Sequence, residues 1–229
     1  MTAPGVAARS RAASLALAGF GIYGVLLVAV HFASPGYQAG VHFLSDYANG
    51  PGARILQLAF VAAAGAEVML VRALGSTPIA PRGSAVSRLL LLDAALKIVL
   101  LVFPIDPMGA AFAGAGPPDL TTAGWIHMLT GVAASGVFFL AGILATRAVW
   151  RSGRARGWLL LLVLVGLLWC CFYGLTLASQ PVAWPAGWYQ RLSIGAQWVW
   201  LLSLAALARS SVWGSPDRAS STVLAPPDP

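Results

Sequence analysis

Charge and cysteine are both scarce in this chain of 229 residues, and each scarcity excludes a class of protein. Only 9% of the residues are charged, whereas a soluble domain carries about a quarter, so a soluble globular protein is excluded. The two cysteines, Cys170 and Cys171, are adjacent, and such a pair cannot build a disulfide framework. With three histidines and seven acidic residues, any polar site has to be made from few side chains.

Hydrophobic residues are abundant instead, at 59% of the sequence, and they form runs long enough to cross the roughly 30 Å hydrocarbon core of a bilayer. Six runs lie near 12–33, 54–74, 86–103, 123–147, 158–178 and 191–208. They predict an all-α integral membrane bundle of six transmembrane helices in one domain at 12–208. A cytoplasmic tail at 1–11 precedes this domain, and a disordered cytoplasmic tail at 209–229, rich in Ser, Pro and Ala, follows it.

The net charge of +7 follows membrane topology and does not predict a nucleic-acid partner. Most arginines flank those ends of the runs that share one side of the membrane. They are Arg9, Arg11, Arg72, Arg82, Arg88, Arg147, Arg151, Arg154, Arg156, Arg209 and Arg218. Only Arg54 and Arg191 lie on the other side, and the single lysine, Lys97, lies inside a run. This asymmetry predicts that both termini are cytoplasmic.

Three ionisable residues lie within the second and third runs, where charge is costly. Asp93 and Lys97 are four residues apart and share one helix face, and Glu67 lies at a similar depth, roughly 10 Å inside the cytoplasmic boundary. We expect the two helices to pack as an antiparallel hairpin and to form one buried triad. Its surplus negative charge favours one protonated carboxyl group. The triad is either a lock between helices or a proton-coupling site.

A second polar set lies beyond the opposite, outer ends of the runs and comprises His31, His42, Asp46, Asp106, Asp119 and His127. Imidazoles and carboxylates are suitable ligands for Zn²⁺, so a divalent metal held by His31, His42, Asp106 and His127 is one hypothesis. Asp46, Asp106 and His127 are also candidate catalytic residues for acid–base chemistry. The spacing matches no compact metal motif such as His-Glu-x-x-His.

Several short motifs at this outer side resemble a known family. They are Ser45-Asp46-Tyr47-Ala48 with Gly50-Pro51, Phe103-Pro104-Ile105-Asp106, Thr121 to Gly124 with His127, and Gln190-Arg191. In this order they resemble the motif series of the bacterial membrane family called domain of unknown function 998, over roughly residues 15–208. The resemblance implies a six-helix protein of the bacterial inner membrane without an established activity. It also marks Ser45, Asp46, Asp106, His127 and Arg191 as motif positions near the outer face. From the residues themselves we take Ser45, Tyr47, Gln190 and Arg191 as candidate substrate-binding residues, with Arg191 able to clamp a lipid phosphate or carboxylate bidentately.

Three functions stay open from the residues. An outer-facing Asp/His/Arg pocket would handle or hydrolyse a lipid or small amphiphile; alkaline ceramidases have a similar inventory of Ser, Asp and three His, but seven helices. The buried Glu67, Asp93 and Lys97 would serve a proton-coupled transporter. A structural or partner-binding protein would use the outer cluster as a hydrogen-bonded cap. A haem between His31 and His127 is a further option.

Overall fold

The computed structural model describes residues 4–107, 120–153, 155–178, 183–210 and 213, and all regular structure in these ranges is helical. Within these ranges lie six α-helices, namely α1 (Pro4–Ala33), α2 (Ala53–Leu74), α3 (Ala85–Val102), α4 (Thr122–Ser152), α5 (Arg156–Ala178) and α6 (Ala183–Arg209). A short 3₁₀ helix, Leu44–Asn49, lies between α1 and α2. The predicted all-α bundle is confirmed.

The outer surface of the bundle is apolar, as expected for a protein whose solvent is lipid. Val25 of α1, Leu129 of α4 and Leu167 of α5 are each more than 60% exposed, so apolar side chains are exposed on several helices. Among the described residues, five helices are long and apolar enough to cross a membrane, namely α1, α2, α4, α5 and α6. The predicted third span, α3, has 18 residues and includes Arg88, Asp93 and Lys97. The count of six spans therefore stays a prediction.

Contacts between helix ends give the bundle two chemically different ends. The side chain of Asn49, before α2, donates to the carbonyl of Ile105, after α3, at 2.9 Å, so α2 and α3 are antiparallel. Arg9 near the start of α1 donates to the carbonyl of Trp213, after α6, at 3.1 Å. We call the end with the first turns of α1 and α3 and the last turns of α2, α4 and α6 the basic end. The opposite end, which includes the 3₁₀ helix, is the polar end.

Small and aromatic residues set the packing between helices. Gly19 of α1 lies so close to α2 that an added Cβ would be 2.9 Å from the Cβ of Ala66, which means that only glycine permits this approach. Between α4, α5 and α6, the ring of Phe138 contacts Trp169 at 5.3 Å and Trp200 at 5.4 Å between centroids. These edge-on contacts pack the middle parts of the three helices together.

Local capping explains where two helices begin and where one ends. The Ser84 hydroxyl accepts from the N–H of Ser87 at the start of α3, and the Thr121 hydroxyl accepts from the N–H of Gly124 at the start of α4. Both satisfy backbone donors that have no partner within the helix. At the end of α4, Gly153 adopts a left-handed φ of 62°, which costs glycine little.

Several helix boundaries differ from the predicted runs. Helix α6 begins at Ala183 instead of 191, α4 continues to Ser152 instead of 147, and α1 begins at Pro4 within the predicted tail 1–11. Hydropathy reports the stretch inside hydrocarbon, whereas a helix continues until its backbone is capped. Trp213, in the predicted tail 209–229, is buried and donates to the carbonyl of Leu207. The rest of that tail beyond 210 lies outside the described residues.

Candidate functional site

A single side chain, that of Arg191 in the third turn of α6, organises the polar end. Its Nη1 donates to the carbonyls of Ala39 (2.8 Å), His42 (2.7 Å) and Gly187 (2.9 Å). Its Nε donates to Nε2 of His31 at 2.8 Å, and its Nη2 donates to the Tyr47 hydroxyl at 3.1 Å. One N–H, on Nη2, is left over. A bidentate clamp on a phosphate, as predicted for Arg191, is not available in this arrangement.

The hydrogen bonds of His31 define its tautomer. Its Nδ1 lies 2.7 Å from the carbonyl of Leu27, which can only accept, so Nδ1 carries the proton. Its Nε2 then accepts from Arg191, and the imidazole is neutral. Both ring nitrogens are engaged, and the lone pair that a metal ion would need faces a guanidinium group. A metal ion at His31 would have to displace Arg191 from Nε2, and the part of His31 in a metal site stays a prediction.

The 3₁₀ helix is anchored by Asp46 and by Gln190. Asp46 is 2% exposed, and its Oδ2 accepts from the backbone N–H of Phe43 at 2.7 Å, while its Oδ1 has no partner among the described residues. Burial raises the pKa of Asp46 to about 6, although the Phe43 N–H and the nearby His42 and Arg191 act in the opposite direction. The side chain of Gln190 accepts from the N–H of Leu44 at 2.6 Å.

The carboxylate of Asp106 forms part of the cap of α4. Its Oδ2 accepts from the backbone N–H of Thr121 at 2.7 Å, and its Oδ1 accepts from the Thr121 hydroxyl at 2.9 Å. The same hydroxyl accepts from the N–H of Gly124, where an added Cβ would collide with the Asp106 carboxylate. An acidic group at a helix N-terminus is stabilising, so this geometry explains Asp106 without any ligand.

His127 joins α4 to the end of α3. It is 7% exposed, and its Nδ1 lies 2.7 Å from the carbonyl of Phe103, so Nδ1 is the donor and Nε2 keeps the lone pair. Among the hydrogen bonds of the described residues, none joins any two of Asp46, Asp106 and His127. The predicted catalytic residues therefore lie at the same end of the bundle without direct contact, and Ser45 beside them is half-buried.

In the part of the chain that the structure describes, no three His, Cys, Asp or Glu side chains are grouped so that they could hold a metal ion. Asp119, which belonged to the predicted outer polar set, lies outside the described residues. The ring of His42 faces its own loop, where its Nδ1 accepts from the N–H of Gln38 at 3.1 Å. The Zn²⁺ site stays a prediction.

An apolar cavity of about 400 Å³ adjoins the Arg191 cluster between α1 and α6. Its walls include Leu27, Val28, Ile194 and Trp198, and its polar members are His31 and Arg191. Phe32 and Trp188, which also line it, are 82% and 48% exposed, so the cavity opens on the outer surface of the bundle. We call it the α1–α6 groove.

The buried charges of α2 and α3 meet as one triad. Nζ of Lys97 lies 2.7 Å from Oε1 of Glu67 and 2.5 Å from Oδ2 of Asp93, and both carboxyl groups are fully buried. The second oxygen of each carboxyl group has no hydrogen-bond partner among the described residues. Tyr23 of α1 lies within electrostatic range of all three groups, a neighbour that sequence reasoning missed because it sits on a different helix.

These features define an α-helical membrane protein with a hydrogen-bonded polar end and a buried charge triad. A family model described as "Protein of unknown function (DUF998)" matches residues 7–207, and the chain belongs to this family. The family predicted from the motifs is thereby confirmed. No curated protein and no solved structure matches the chain.

Proposed function

We propose that this protein binds the apolar chain of a lipid or small amphiphile in the α1–α6 groove. The observation that carries the proposal is the cavity of about 400 Å³ itself, which lies within the size range of ligand pockets and opens towards the surrounding lipid. Arg191, one of the predicted substrate-binding residues, lines the groove. In a bacterial inner membrane with cytoplasmic termini, this groove would face the outer leaflet.

The chemistry of the groove favours apolar recognition over anion binding. Arg191 and His31 are the polar side chains of its lining, and they are hydrogen-bonded to each other and to backbone carbonyls. A bound headgroup would meet only one remaining N–H of Arg191. The occupant is therefore selected mainly by the shape and apolar surface of its chain.

The groove can be closed by one substitution at Gly195, which lines it. An added Cβ at Gly195 meets no atom within 4 Å, whereas one at Gly24, opposite, would meet Trp198 at 2.6 Å. Gly195→Leu therefore fills the groove without disturbing the packing of α1 on α6. Gly21→Leu on α1 is a matched control, because a Cβ there also meets nothing within 4 Å and Gly21 does not line the groove.

The test is photolabelling of the protein in vesicles that contain a fatty-acid analogue with a diazirine in its chain. We expect labels on the α1 and α6 segments that line the groove, reduced roughly tenfold by Gly195→Leu, which corresponds to about 1.4 kcal/mol of binding, and unchanged by Gly21→Leu. Labels spread evenly over all lipid-facing helices, or equal labelling of the two variants, would refute the proposal.

Proton-coupled transport is a second candidate, and one observation favours it. The triad holds two carboxyl groups and one ammonium, and Glu67 Oε2 and Asp93 Oδ1 both lack a partner among the described residues. One proton shared by the two carboxyl groups would neutralise the triad and satisfy an orphaned oxygen. A static lock between α2 and α3 uses the same contacts, and the two are separated by whether the proton exchanges with water.

A further inference from the structure

A second and larger cavity, of about 650 Å³, lies between α4 and α5 towards the basic end. Its apolar walls include Phe139 and Ile143 of α4 and Val163 and Leu167 of α5. The Phe138, Trp169 and Trp200 rings form its back. We call it the α4–α5 groove. It shares no lining residue with the α1–α6 groove and lies nearer the opposite end of the bundle.

Two arginines lie at the basic end of this groove. Arg147 and Arg151 are four residues apart on α4, so they project from one helix face, and both line the groove. They also line an adjoining cavity of about 460 Å³ together with Pro78 and Ser152. An apolar groove thus continues, past the two guanidinium groups, into a more polar space.

Neither arginine has an anionic partner in the described part of the chain. The four acidic residues that the structure describes are Asp46, Glu67, Asp93 and Asp106, and each is engaged in the triad or at the polar end. Two like charges at this spacing repel each other, and the repulsion is relieved by an anion between them. Trp150, beside them and 72% exposed, is at the level where tryptophan anchors helices to lipid headgroups.

We propose that the α4–α5 groove binds one anionic phospholipid from the leaflet at the basic end. An acyl chain lies between α4 and α5 against the aromatic back wall. The phosphate lies between Arg147 and Arg151, whose guanidinium groups match phosphate oxygens in geometry and charge. Gly142 and Gly166 line the groove, and an added Cβ at either meets nothing within 4 Å, so the chain can approach the helix backbones there.

The experiment counts bound lipid by native mass spectrometry after the protein is released from membranes that contain phosphatidylglycerol and phosphatidylcholine. We expect one retained phosphatidylglycerol per chain and a preference over phosphatidylcholine on the order of tenfold, because each basic residue near an anionic surface contributes measurably. The double variant Arg147→Gln/Arg151→Gln should lose this preference. Arg72→Gln/Arg88→Gln removes the same charge from exposed arginines at the same end, outside both cavities, and should keep it.

A second, independent test closes the apolar part of the α4–α5 groove. Gly142→Leu should abolish retention of the lipid while leaving every charge in place, and Gly136→Leu on the same helix, also without a neighbour within 4 Å, should not. Equal retention of both lipids would show that the retained lipid is ordinary surrounding lipid, and would overturn the proposal. So would an undiminished preference in Arg147→Gln/Arg151→Gln, or an equal loss in Arg72→Gln/Arg88→Gln. Gly195→Leu leaves the α4–α5 groove intact. A failure of the α1–α6 proposal can therefore be distinguished from a failure of this one.

Discussion

At the scale of single residues, Arg191 joins four segments of the chain. Its guanidinium group links α6 to the end of α1, to the loop at Ala39–His42 and to the 3₁₀ helix through Tyr47. Tyr47 lies fully buried beneath it, with the guanidinium carbon 5.4 Å from the ring centroid. Lysine could not replace it, because an ammonium group lacks the planar fork that reaches all these acceptors. Its first role is to shape the polar end.

Asp46 gives this end a pH dependence with a defined sign. Its pKa is raised from 3.8 to about 6, so the folded protein binds this proton more tightly than the unfolded chain does. Stability should therefore fall as pH rises from about 4 to about 6, by up to about 3 kcal/mol, and level off above that range. Asp46→Asn keeps an acceptor for the Phe43 N–H but cannot ionise, so it should remove this decline.

The measurement is thermal unfolding in detergent between pH 4 and pH 7, with the variant curve subtracted from that of the native sequence. Asp106→Asn serves as the control, because it removes another carboxylate from the polar end and should leave the decline in place. Identical pH profiles for Asp46→Asn and the native sequence would mean that Asp46 ionises at its ordinary pKa. Asp46→Ala should in addition lose the capping bond and be less stable at every pH.

At the scale of helices, α2 and α3 are joined by charge as well as by packing. Lys97 is hydrogen-bonded to Glu67 on the neighbouring helix and to Asp93 on its own. Asp93 and Glu67 are fully buried, which means that neither has water to replace a lost partner. Breaking such a cluster by removing one member leaves an uncompensated charge, whereas removing all members leaves none.

Lys97→Met should accordingly destabilise the bundle by roughly 3–5 kcal/mol, because two buried carboxyl groups then face each other without a cation. The triple variant Glu67→Leu/Asp93→Leu/Lys97→Met should be close to the native sequence in stability or above it. Denaturant unfolding in mixed micelles, followed by circular dichroism, compares the two. If the triple variant is as damaged as Lys97→Met, the cluster is not an isolated ionic unit. Proton exchange of the native triad, read by infrared spectroscopy of the carboxyl band, separates a relay from a lock.

At the scale of the molecule, the described arginines gather at one end. Arg9, Arg72, Arg88, Arg147 and Arg209 lie there, whereas Arg54 and Arg191 lie at the polar end. The start of α1 and the segment after α6 meet at the basic end, where Arg9 donates to the carbonyl of Trp213. The positive-inside rule predicts that this end is cytoplasmic.

Reporter fusions test that orientation. A fluorescent protein joined to either terminus should fluoresce, and alkaline phosphatase joined there should be inactive, because both termini are predicted to be cytoplasmic. A single cysteine at exposed Gly36, in a chain with Cys170 and Cys171 replaced, should react with an impermeant maleimide added outside. Opposite locations of the two termini would mean that the number of spans is odd and that α3 does not cross. Protection of Gly36→Cys would reverse the predicted orientation.

Much of the molecule follows from the sequence because lipid imposes simple rules. Six apolar runs predicted the helices α1 to α6, and the resemblance of short motifs predicted the family, which is confirmed. The spacing of Asp93 and Lys97, with Glu67 at equal depth, predicted the triad that the structure brings together. The roles of the side chains at the polar end were harder to predict from the sequence. Asp106 and His127 form hydrogen bonds to residues just outside the helices, Thr121 and Phe103. From the sequence, Arg147 and Arg151 indicated only membrane topology, because the cavity that they line is formed by α4 and α5 together.

The sequence by itself determined the helical class and the burial of the triad, because hydropathy, charge and helical periodicity act within one segment or between adjacent ones. It also determined at which end of each helix the arginines lie. Only the tertiary structure decided what Arg191, His31 and Asp106 bond to, and where the two grooves lie. Those features depend on which helices become neighbours and on how closely they approach. Such contacts join residues as distant as His31 and Arg191, and no local pattern encodes them.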